Sequence, residues 1–160
     1  MNTSGPGPET KDLTVHECWQ HLRSASVGRL AVISDAKPEI FPVNYLPDEG
    51  TVLFRTGHGT KLDAVLAGEP VVLEADGLNI YGTIAWSVVV KGVAEAVQPG
   101  EDAPAETPSP WQEGAKDILV RITPSELSGR RFVIGPPTKW WPPVEPVTLP
   151  GHQQQVGHQQ

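Results

Sequence analysis

Three apolar stretches lie between Val27 and Thr56 with very little between them. They are "VGRLAVIS" (Val27–Ser34), "EIFPVNYL" (Glu39–Leu46) and "TVLFRT" (Thr51–Thr56). Each is short and rich in β-branched and aromatic residues, as strands are. The joints "DAKP" and "PDEG" carry turn residues and are too short to hold a crossover helix. Consecutive strands joined this tightly run antiparallel, so the chain is predicted to contain an antiparallel meander. Pro42, inside the second stretch, has no N–H to give a ladder, which places it at an edge or a bulge.

The rest of the chain extends the pattern. "PVVLEAD" (Pro70–Asp76) reads as a fourth strand. "IAWSVVVKGVAEAV" (Ile84–Val97) reads as a long fifth strand interrupted at Gly92, where a glycine permits the bulge a barrel needs. "DILVRIT" (Asp117–Thr123) is a sixth, followed by a helical turn at "PSELSG" and a short extended "RRFVI" (Arg130–Ile134). Helices are few. One opens at Thr14, with Glu17 completing a capping box and Val15, Cys18, Trp19 and Leu22 on one face, and ends near Ser24. A second runs from Lys61 to Ala67, with Thr60 as its cap, Asp63 at the third position and Gly68 as its stop. Strands and helices do not alternate, so a doubly wound parallel sheet is not expected. The expected architecture is mostly β: a small antiparallel barrel of about six strands with a few short helices.

Composition sets the limits of the folded part. The 160 residues suit one domain, but 17 prolines and 16 glycines collect at the two ends and in Gln98–Gly114. Residues 1–12 are expected to be a disordered tail, 13–135 the folded domain, and 136–160 a Pro/Gln-rich tail containing "TKWWPP". Gln98–Gly114 is expected to be an irregular loop. A net charge of −7 and a pI near 5.1 argue against a nucleic-acid partner. The N-terminus has no apolar core of a signal peptide, and no apolar run approaches the ~20 residues that span a bilayer. The expectation is a soluble, cytoplasmic protein with no membrane association. Cys18 is the single cysteine, so no intrachain disulfide forms, and it reads as a small buried hydrophobe.

The chemistry concentrates in "FRTGHGTKLDAVLAG" (Phe54–Gly68), which reads as strand, glycine loop and helix. It is not a P-loop, because Lys61 follows Thr60 and precedes Leu62. It is not the dinucleotide fingerprint either, because Leu62 stands where the third glycine belongs. The physics of an anion site remains. Arg55 and Lys61 bracket the loop, Thr56 and Thr60 add hydroxyls, and Gly57 and Gly59 allow close backbone approach. The helix start adds unpaired amides, and together these suit a phosphate.

Other candidates are weaker. His58, at the loop tip, reads as an exposed turn residue. His16 and His21 do not share a helix face, and His152 and His158 have no Cys or carboxylate to complete a metal set, so no metal site is predicted. On the fifth strand, Trp86, Val88 and Val90 share one face and Ser87, Val89 and Lys91 the other. Both faces are largely apolar, so both are expected to be covered, one of them by a partner subunit.

Taken in order, "SVGRLAVISDAKPEIFPVNYLPDEGTVLFRTGHGTKLDAVLAGEPVVLEAD", "WSVVVKGVAEAV" and "LVRITPSELSGRRF" resemble the pyridoxamine 5′-phosphate oxidase-like flavin-binding proteins, and most of all their small actinobacterial branch. The likeness spans Leu13 to Phe132. It implies a split β-barrel homodimer with FMN at the interface, and an FMN-dependent oxidoreductase acting on a small molecule; a non-catalytic flavin-binding module or a deazaflavin-dependent reductase is the alternative. By position, Arg55, Thr56, Thr60 and Lys61 fall where the family grips the FMN phosphate. Pro42, Val43 and Asn44 fall where it lines the flavin ring. Trp86 and Ser87 fall where relatives place groups near the flavin, often from the other subunit. No catalytic acid or base is implied. Pro38 and Val43 replace basic residues of the vitamin B6 oxidases, and nothing after Phe132 matches their substrate-phosphate segment, so pyridoxamine phosphate is not implied as substrate. Some relatives hold a deazaflavin coenzyme or haem instead; Arg29, Lys91, Arg130 and Arg131 are the cations left over for a deazaflavin's acidic tail.

Overall fold

The fold is seen in a computed structural model that describes residues 9–98, 104, 106–108 and 118–134. The elements in chain order are β1 (Thr10–Asp12), α1 (Val15–Ser24), β2 (Val27–Ser34), β3 (Lys37–Asp48), β4 (Thr51–Thr56), α2 (Thr60–Leu66), β5 (Pro70–Leu78), β6 (Ile84–Ala96) and β7 (Ile118–Val133). The meander is present as β2–β3–β4, joined by tight turns. The left-handed residues Asp35, Ala36, Glu49 and Gly50 make those turns.

All pairings are antiparallel, and the sheet order is β1-β7-β4-β3-β2-β5-β6. β6 also pairs with β7, so the six strands β2 to β7 close into a ring and β1 adds to β7 outside it. Closure removes the open edges that an isolated sheet would leave. Side chains alternate in and out along each strand. Leu30 and Val32, Val43 and Tyr45, Val52 and Phe54, Val71 and Leu73, Val88 and Val90, and Val120 and Ile122 fill the interior.

α1 closes one end of the barrel. Thr14 caps it, and Glu17 completes the capping box. Glu17 also receives Lys11 at 2.8 Å; the Lys11 ammonium first, then the Thr14 donors, hold its carboxyl down to about 2. The Tyr45 hydroxyl donates to the Leu22 carbonyl at 2.8 Å inside the barrel end. Cys18 is buried there, as expected, and burial raises its thiol pKa.

Three expectations need correction. The seventh strand is one continuous element: "PSELSG" is strand, and β6 pairs along it from Ile84↔Val133 to Ala96↔Val120. Residues 10–12, expected in the disordered tail, pair with Phe132, Arg131 and Arg130. Thr60 is not the cap of α2 but its first residue; Gly59 occupies the cap position, with no side-chain cap bond. The Pro/Gln-rich tail, its "TKWWPP" segment and most of Gln98–Gly114 lie outside the described residues.

The interruption at Gly92 is a register shift in the β6–β7 ladder between Lys91 and Gly92. A Cβ on Gly92 would run into the Thr123 carbonyl oxygen, a backbone atom that cannot step aside. Gly92→Ala is therefore expected to destabilise the fold by roughly 3 kcal/mol, as overpacking against backbone does. A lowered urea midpoint checks this; an unchanged midpoint would show that the bulge tolerates a side chain.

Candidate functional site

The geometry of interest begins where β3 and β4 part. Their ladder runs from Asp48↔Thr51 to Tyr45↔Phe54 and then stops. Beyond it, β3 follows β2 alone, from Asn44↔Val27 to Lys37↔Ser34. β4 follows β7 alone through Arg55↔Leu119 and Thr56↔Ile118. Asn44 and Arg55 would be the next pair, and both lie on the outer face. The strands diverge instead, which leaves a fork along residues 37–44, where β3 no longer pairs with β4. Pro42 sits in this stretch, as its missing N–H requires. Val43 is buried and points inward, and its main chain lies in the ladder to Gly28 of β2, whereas Asn44 is half-buried on the outer face.

The loop after β4 sits over the fork. Gly59 has φ +139, a conformation side chains rarely adopt, and it lets the chain turn directly into α2. α2 has only seven residues, so its dipole is a small contribution and the side-chain cations dominate. The Lys61 ammonium lies 5.2 Å from the centre of the Phe41 ring on β3, a cation–π distance that ties α2 to the fork. Arg55 donates to the Thr107 hydroxyl at 3.2 Å. Thr56 is 1 % exposed, and its hydroxyl donates to the Gly57 carbonyl at 3.1 Å. Its proton is therefore spent on shaping the loop. Thr60 is exposed and takes no part in capping.

Trp86 and Ser87 lie elsewhere in the chain. Trp86 pairs with Gly77 and Arg131 near the start of β6. The Arg55 level meets β6 just past its far end, where the Val97 amide donates to the Leu119 carbonyl at 2.8 Å. Measured along β6, the path from one group to the level of the other is on the order of 30 Å. Trp86 is 7 % exposed and belongs to the core, stacked on His21 of α1 with ring centres 4.8 Å apart. Ser87 faces outward and borders a cavity of about 550 Å³ beside Asp12 and Arg130.

The cations left over for an acidic tail are mostly engaged. Arg29 meets Glu74 at 2.8 Å and Asp76 at 3.4 Å, and these partners raise its pKa. Lys91 meets Glu126 at 3.0 Å and Arg130 meets Asp12 at 3.3 Å. Phe41 was missed in the sequence, where nothing separates it from a core aromatic; it is the partner across β3 that positions Lys61. His58 was set aside as an exposed turn residue. It is exposed, and it also lines a second cavity with Arg55.

The chain is a closed antiparallel barrel whose β3–β4 ladder parts beside a glycine loop flanked by Arg55 and Lys61. The sequence profile described as pyridoxamine 5′-phosphate oxidase matches residues 14–131, and the chain belongs to this family. It is similar to the uncharacterized protein Rv0080 of Mycobacterium tuberculosis, with 34 % identity covering 78 % of this chain and 87 % of that protein. Among solved structures it is similar to an FAD binding protein from Mycobacterium smegmatis, at 34 % identity and TM-score 0.58, covering 78 % of this chain and 99 % of that one. It is also similar to a conserved protein of unknown function from Corynebacterium diphtheriae, at 37 % identity and TM-score 0.63, covering 78 % and 98 %. No helix of the described residues is long and apolar enough to cross a membrane.

The His21–Trp86 stack generates a test. Burial, and then the Arg131 charge, lower the His21 pKa below its ordinary 6.5, while Glu17 pulls the other way. The folded state thus holds fewer protons on His21 than the unfolded state once the pH falls below 6.5. The neutral stack is fully stabilising above that pH, and its contribution falls as the pH drops toward the folded pKa. Melting curves should show wild type losing stability relative to His21→Phe between pH about 7.5 and about 5. Parallel pH dependences for the two proteins would contradict this.

Proposed function

We propose that the protein binds a flavin at the fork, with the flavin's own phosphate held by the loop and FMN as the smallest guest that satisfies it. The observation that carries this is the juxtaposition of Arg55 and Lys61 with the stretch of β3 that parts from β4. Two cations beside a glycine loop suit a phosphate. The β3 edge that no longer pairs with β4 suits the pyrimidine edge of a flavin ring, which both donates and accepts hydrogen bonds. Arg55, Lys61 and the exposed Thr60 hydroxyl contact the phosphate, Thr56 holds the loop in shape, and Pro42, Val43 and Asn44 line the ring. The family membership and the FAD binding relative from M. smegmatis support a flavin.

The distance of Trp86 and Ser87 from the loop favours a homodimer. In a two-fold pair with β6 strands opposed, the Trp86–Ser87 end of one copy reaches the loop of the other. A bound flavin supplies hydride and electron chemistry, and an oxidoreductase acting on a small molecule is the activity this site serves best. The protein's part is to bind and orient the ring and to exclude water from it.

The purified protein should show flavin absorption bands, or acquire them on adding FMN, and should run as a dimer on sizing. Arg55→Ala combined with Lys61→Ala should weaken flavin binding roughly a hundredfold or more, the loss of two charge-assisted contacts, with the circular dichroism unchanged. Unaltered affinity in the folded double variant would show that the phosphate sits elsewhere. A deazaflavin spectrum or a Soret band would replace the flavin with another cofactor.

A further inference from the structure

We propose that Trp140 and Trp141 of the C-terminal segment dock, within the same chain, on an apolar patch at the turn between β5 and β6. The turn itself does not call for that patch. The Gly82 amide donates to the Asn79 carbonyl at 3.0 Å, with Gly82 at φ +64. The Asn79 side chain accepts from the Thr83 and Ile84 amides at 2.8 Å and 3.0 Å and donates to the Thr83 hydroxyl at 3.0 Å. Asn79 and Gly82 thus fix the turn, and the two positions between them suit polar residues. They hold Ile80 and Tyr81 instead, 91 % and 79 % exposed.

The sheet beside the turn continues the patch. Ala85 pairs with Leu78 on one side and with Phe132 on the other, and partners across a ladder share a face. Leu78 and Phe132 therefore flank the small Ala85 on the outer face, and both are exposed. Large apolar side chains gathered this way on a surface mark a contact.

The chain carries an occupant of its own. Ile134 is the last residue described after β7, and its amide donates to the Thr83 carbonyl at 2.8 Å, so the described chain ends beside this turn. Trp140 follows six residues later, a reach of up to about 20 Å. Leu78 lies roughly 12 Å from Ile134 by strand spacing and rise. Pro136 and Pro137 have no amide N–H to carry the β6–β7 ladder onward, so side chains make the contact. Two tryptophans, each able to bury about 150–250 Å², match a patch of this extent. The family profile ends at residue 131, so this pair belongs to the part of the chain beyond it.

Indole and backbone amide NMR signals of the full-length protein test the docking. Ile80→Ser with Tyr81→Ser leaves Asn79 and Gly82 in place. It should shift the indole signals of Trp140 and Trp141 and speed their hydrogen exchange about tenfold or more, with Trp19 unmoved. Trp140→Ala with Trp141→Ala should in turn shift the amide signals of Leu78, Ile80, Tyr81 and Phe132, with the circular dichroism unchanged. Unmoved signals in either variant would overturn the docking. Refolding the isotope-labelled Trp140→Ala/Trp141→Ala chain together with unlabelled wild type separates the chain's own segment from that of a second copy. Patch signals that keep their variant positions support docking within one chain. A second set at the wild-type positions would place the partner's segment there and overturn the proposal.

Discussion

The site depends on where one ladder ends. Had β3 and β4 stayed paired past Tyr45↔Phe54, Asn44 would face Arg55 across a closed sheet and no backbone would be left to offer a ligand. The strands part because each has a better-placed neighbour on its other side, β2 for β3 and β7 for β4. Barrel closure by the long β6–β7 ladder fixes those neighbours. The Gly92 bulge, at the far side of the ring, thus helps hold the fork open by setting the curvature that closure requires.

Much of this was legible in the sequence. The meander was readable because its turns are short and its strands alternate, and the structure reproduces Val27–Ser34 and Thr51–Thr56 residue for residue. The capping box at Thr14 and the break at Gly92 were readable because each is a local signal. What failed was decided by tertiary pairing. "PSELSG" has turn chemistry, yet a neighbouring strand holds it extended. Thr10–Asp12 sits at the end of a Gly/Pro-rich tail and carries no strand signal of its own, but β7 offers it an edge.

The site was legible in part. Arg55 and Lys61 stood out because cations flanking a glycine loop are visible in any reading of the chain. The fork was hinted at only by Pro42, and the inward aim of Val43 and Thr56 is set by strand register. The separation of Trp86 from the loop was hidden altogether, since it depends on how β6 spans the barrel. Thr60 changed from a helix cap to a residue with its hydroxyl outward because Gly59 took the cap position.

The central claim is that a ligand phosphate is held between the stretch of β3 that parts from β4 and the loop after β4. Backbone amide NMR shifts recorded while FMN is added test it most directly. The largest changes are expected at Phe41, Val43 and Asn44 and from Arg55 to Lys61. Shifts that leave both segments unmoved while FMN demonstrably binds would contradict the account.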